Sequence, residues 1–145
     1  MASTAPLPGG GAGPPALGAL LDFLGERSLR IKALEQEAIA ALQEKKDQNA
    51  HRRLMTERSQ LIAALDTDSL PLITAFNAAS GPESSTARLA EEAARRLNRF
   101  ARGGRNALRL DSIFYMSALL YPDEHRPGEP DNLERLIQEL AASGV

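Results

Sequence analysis

Leucine recurs at steps of three and four from residue 17 to residue 65, and that repeat leaves the chain few folds. Leu17, Leu20, Leu21, Leu24, Ile31, Leu34, Ala38, Ala41 and Leu42 mark one face of a helix, close to a heptad seam. Arg27 and Ser28 interrupt the line. Across residues 43–53 (QEKKDQNAHRR) Ala50 is the single apolar residue, and the stripe then resumes at Leu54, Met55, Leu61, Ile62 and Leu65. Two chain paths fit this pattern: one helix with a solvated middle, or a hairpin turning near residues 47–49. The absence of Gly and Pro in that middle favours one very long helix over about 16–66, roughly 75 Å from end to end.

The rest of the chain is also helical in pattern. Capping residues at 66–69 and Gly81 bracket a short helix over 70–79, with Leu72, Ile73 and Phe76 inward. Ser80 and Glu83 have capping-box spacing and open a second long helix over about 82–121. Its apolar line runs through Leu89, Ala93, Leu97, Phe100, Gly104, Ala107, Leu108, Phe114, Ala118 and Tyr121. Gly103-Gly104 is a place for a kink, yet Gly104 falls in phase with the stripe, as it would where another backbone comes close. Residues 110–121 (LDSIFYMSALLY) are apolar on every side, which suits burial on several faces or an interface between chains. Residues 121–131 (YPDEHRPGEPD) form a loop, and Leu133, Leu136, Ile137 and Leu140 give a last helix over about 131–142. No strand-like alternation occurs. The expected fold is all-α, an antiparallel helical bundle spanning residues 16–145 as one domain, preceded by a disordered Pro/Gly-rich tail over 1–15.

Composition bounds the chemistry. There is no Cys, so thiolate metal sites and cysteine nucleophiles are excluded. A net charge of −2 gives no global attraction to nucleic acid or membrane. No signal-peptide pattern opens the chain and no apolar run approaches the ~20 residues that span a bilayer, so the expected compartment is the cytoplasm. No Walker loop, dinucleotide fingerprint or Gly-x-Ser-x-Gly is present, and the two His residues sit far apart in sequence. The chain therefore reads as a non-enzyme without cofactor. Asp123, Glu124, His125, Glu129 and Asp131 are oxygen- and nitrogen-rich, but their spacing matches no calcium loop, and a solvated acidic loop is the expectation.

Two features point to binding. Arg88, Arg95, Arg96, Arg99, Arg102, Arg105 and Arg109 stand against only Glu91 and Glu92, a local charge of +5. All but Arg96 fall within an arc of about 120° opposite the apolar stripe. Guanidinium groups bind oxyanions in bidentate geometry, so Arg95, Arg99, Arg102, Arg105 and Arg109 are candidate contacts to an acidic protein or to nucleic acid, unless they form a merely solvated face. No aromatic residue is interleaved on the ridge itself for base stacking, Phe100 lying on the apolar stripe. The second feature is the long seam. Unless it folds back on itself, a partner helix or a second copy must cover it, with Leu24, Ile31 and Leu34 in contact.

Residues 34–65, LEQEAIAALQEKKDQNAHRRLMTERSQLIAAL, resemble the small bacterial helical export chaperones of the flagellar rod and hook type. The likeness lies in a leucine seam, a polar interruption containing Asp, and a charged stretch closing on Leu-x-x-Leu-like spacing. It covers 32 of the 145 residues. It implies a cytoplasmic chaperone that binds an amphipathic helix of an export substrate. The expected function is thus a protein-interaction or assembly module, chaperone-like and self-associating, with nucleic-acid or acidic-protein binding through the arginine series as the alternative.

Overall fold

A computed structural model describes residues 15–81 and 84–143. The tail expected to be disordered lies outside these residues, apart from Pro15, which occupies the first helical position where its missing N–H costs nothing. The described residues form six helices and no strand: α1 (Pro15–Gln43), α2 (Gln48–Ala63), α3 (Leu65–Ala79), α4 (Ser85–Leu110), α5 (Ile113–Ala118) and α6 (Asn132–Ser143). The fold is an all-α bundle, as the periodicity implies.

The single helix expected over 16–66 is instead a hairpin of α1 and α2 followed by α3. The reason lies at residues 44–47. Lys46 takes the left-handed conformation at φ 55°, and the Asp47 N–H reaches back to the Ala41 carbonyl at 2.9 Å, closing α1 in a Schellman-like turn. Asp47 then starts α2, its carboxylate accepting from the Ala50 N–H at 3.0 Å. His51 Nδ1–H donates to the Ala38 carbonyl at 2.9 Å, tying the start of α2 to the end of α1. Reversal lets the second half of the seam cover the first, which removes far more apolar surface from water than one extended rod would.

Three other boundaries differ from the sequence reading. α3 begins at Leu65, not residue 70, because Asp66 and Asp68 complement the amide dipoles of its first turn. Ser80 ends α3, and Ser84 caps α4 by accepting from the Ala87 N–H at 3.0 Å; Glu83 lies outside the described residues. The helix expected to run to residue 121 stops at Leu110, where Asp111 is left-handed, and Ser112 caps the short α5. Gly103-Gly104 does not break α4.

α1 packs on α2, α3 and α6, while α4 packs on α2, α3, α5 and α6. Leu17, Leu20, Leu24, Ile31, Ile62, Leu65, Phe76, Leu97, Leu133, Leu136 and Leu140 share one apolar core. Ser28, an interruption by residue type, is buried in phase with the stripe. A smaller cluster of Ala38, Met55, Ala107 and Met116 closes the end near the hairpin turn.

Candidate functional site

The structure divides the candidate contacts into those the fold uses and those it leaves outside. Leu24, Ile31 and Leu34 are buried within this chain, so the chain itself covers the seam there, while Leu42 at the end of α1 is exposed. The three buried residues are core, not a surface offered to a partner.

The arginines of α4 separate in the same way. Arg105 is exposed but tied down: it donates to Asp66 Oδ1 and Oδ2 at 3.2 Å each and to the Ala63 carbonyl at 2.9 Å. That carbonyl belongs to the last turn of α2, which the break at Ala64 leaves without a helical partner, so Arg105 caps α2 from outside. Arg96 bonds Glu139 of α6 at 2.7 Å, and Arg95 pairs with Glu92 one turn earlier. Arg99 and Arg102 are exposed and have no carboxylate within 4.0 Å among the described residues. Arg109, also exposed, donates to the neutral Asn106 amide at 2.7 Å. The three lie along about 15 Å of the helix axis. Together with Asn106 they line a shallow depression on the outer side of α4.

Asp66 shows what a carboxylate does beside these arginines. Burial alone would raise its pKa, but hydrogen bonds from Arg105, the Thr67 N–H and Asn98 outweigh it and hold the group below the usual carboxylate range. A lowered folded pKa adds stability that is present above the unfolded pKa of about 3.9 and lost as pH falls through the folded value. Asp66→Asn is therefore expected to lower unfolding free energy by about 1–2 kcal/mol near neutrality. The gap to wild type should narrow as pH drops into the acid range. Urea melts across pH check this; a gap independent of pH would refute it.

A second element adjoins the arginine face. α5 exposes Phe114 (75%) and Tyr115 (50%), whose rings meet edge to face at 5.4 Å, and Leu110 is also exposed. Between α4, α5 and the start of α6 lies a groove of about 470 Å³ bordered by Arg99, Phe100, Asn106, Tyr115, Leu119 and Asn132. An exposed aromatic side chain thus stands beside the arginines in space, although none lies on their face of the helical wheel. The all-round apolar run at 110–121 carried that signal, because Met116 and Leu120 fill the core and leave Phe114 and Tyr115 no inward position.

The residue that sequence reading passes over is Arg58. Its side chain is 1% exposed, donating to the Met116 carbonyl at 2.8 Å and the Leu119 carbonyl at 3.0 Å, with Glu35 at 3.9 Å. Tyr121 donates to Glu35 at 2.5 Å; burial first, then this bond to a carboxylate, pushes the phenol pKa well above its ordinary value. The cluster fixes the C-terminal end of α5, and with it one wall of the groove. Its sequence signal is phase, since Arg58 sits on the buried face of α2 with Met55, Ser59 and Ile62.

The acidic loop is held by its own contacts and by Lys32 of α1, which lies 3.8 Å from Asp131 and 3.3 Å from Glu134. Asp131 and Glu134 form a capping box for α6 (N–H to carboxylate, 2.8 Å in each direction), and His125 bonds the Glu129 carbonyl. Among the described residues no three His, Asp or Glu side chains gather to hold a metal ion, and no helix is long and apolar enough to cross a membrane. No protein-family model, no curated protein and no solved structure matches the chain.

Proposed function

We propose that this chain is a non-catalytic, cytoplasmic protein-interaction module that engages an acidic surface of a protein partner through the outer face of α4. One observation carries the reading: Arg99, Arg102 and Arg109 project from one rigid helix without carboxylate partners among the described residues, whereas Arg95, Arg96 and Arg105 beside them are paired. Such a face attracts carboxylates and loses that attraction in salt. Nucleic acid is the rival anion. Seven arginines against two glutamates make α4 +5, which leaves −7 on the rest of a chain of net −2. A long polyanion meets that repulsion wherever it extends past α4, and a local acidic surface does not. A chaperone-like role of the kind that residues 34–65 suggest would also use this face, because the seam is covered at Leu24, Ile31 and Leu34.

The test is titration of a short labelled oligo-glutamate peptide, no longer than the arginine face, at low salt. Arg99→Glu with Arg102→Glu is expected to weaken binding at least tenfold while helical content by circular dichroism stays unchanged. Equal affinity of wild type and double variant would overturn the proposal. Tighter binding of an oligonucleotide of matched charge would transfer the reading to nucleic acid.

A further inference from the structure

The groove beside Tyr115 and the arginine depression share a border. Arg99, Gly103 and Asn106 line both. Whatever occupies the groove therefore continues directly onto Arg102 and Arg109. Resting on the function proposed above, we infer that the partner presents a short acidic peptide segment with one large apolar side chain. That side chain seats in the groove, and the flanking carboxylates lie along the arginines.

Each half of the site asks for a different chemistry. Phe100, Tyr115, Leu119 and Leu120 give the groove apolar lining beside Arg99 and two Asn side chains, and its size is that of a small-ligand cleft. Asn106 and Asn132 stand at its edge, and an amide side chain both donates and accepts, which suits the alternating N–H and C=O of a peptide backbone. The arginines supply the complementary charge. Tyr and Arg are the residue types that dominate binding energy at protein interfaces, and here they are adjacent. Phe114, exposed beside Tyr115, extends the apolar edge. The wall does not depend on the occupant, because Arg58 already holds the carbonyls of Met116 and Leu119.

Fluorescence anisotropy with two dye-labelled synthetic peptides tests this. Both are rich in Glu and Asp; one carries a single central Phe and the other Ser in its place. The Phe peptide is expected to bind wild type about tenfold more tightly, the effect of burying one large apolar side chain. Ala118→Phe, at an exposed position on the groove wall, should erase that tenfold difference and leave the Ser peptide unaffected. Tyr115→Ala should reduce it severalfold, which gives a second reading if the filled variant folds poorly. Arg99→Glu with Arg102→Glu should weaken both peptides. Equal affinity of the two peptides for wild type would overturn the inference and leave the arginine face standing as a docking surface. Failure of both peptides to bind at low salt would overturn the proposed function and the inference together.

Discussion

Arg58→Ala is expected to lower the free energy of unfolding by about 3–5 kcal/mol, since it breaks a buried charged network from one side. The guanidinium serves two acceptors, the carbonyls of Met116 and Leu119, and stands 3.9 Å from the Glu35 carboxylate, itself bonded by Tyr121. Truncation takes the donor from the Leu119 carbonyl, the stronger of two donors from the Met116 carbonyl and the nearby cation from Glu35, and the desolvation cost falls on groups that were previously paired. Arg58→Met keeps most of the volume and should cost less, though the carbonyls and Glu35 remain short of donors. Chemical denaturation followed by circular dichroism measures the size of the effect. Hydrogen exchange supplies the location: amides over 113–121 should lose protection ahead of those in α1. A loss below about 1 kcal/mol would show that the cluster is replaceable by solvent.

Gly104→Ala should be nearly as damaging, although Ala is the better helix former by about 1 kcal/mol. A Cβ at position 104 would stand 2.8 Å from the Ala63 nitrogen, 3.0 Å from its Cα and 3.1 Å from the Ser59 carbonyl oxygen. All three are backbone atoms of α2, so no rotamer change relieves the overlap, and the two helices must separate. A loss of about 2–3 kcal/mol is expected, within the usual range for overpacking. The adjacent residue is the control. At Gly103 the same Cβ would meet only the flexible end of Leu119, at 3.4 Å, and Gly103→Ala should raise the melting temperature. If both substitutions stabilise, α2 and α4 do not cross as closely as described.

Gly104 also shows how far residue patterns reach. Its place in the apolar phase of α4 was readable from the sequence, and so was the close approach of another backbone. The identity of that backbone was not, because phase reports a face and not what lies across it. The hairpin was harder still. Chains usually turn at Gly or Asn in the left-handed conformation, and here Lys46 takes it, so the usual marker was missing. The polar run at 43–53 and the cap at Asp47 were the available signs, but both are equally compatible with a solvated helix. The arginine face was visible as charge on a helical wheel. Which of its members are free was not visible, because Glu139 and Asp66 reach Arg96 and Arg105 across more than 38 residues of chain. Tyr115 joined the site only once the chain had turned at Asp111.

The order of the helices along the chain has a consequence for its synthesis. α6 packs on α1, and Leu133, Leu136 and Leu140 complete the cluster that Leu17, Leu20 and Leu24 begin. A ribosome therefore delivers the first apolar stripe, and the α2 and α3 that cover part of it, well before the segment that completes the cover. Contacts between the earliest and latest helices also require the widest loop to close, a step that slows folding relative to a bundle of sequential neighbours. Moving α6 ahead of α1 by circular permutation would put the shield in place first.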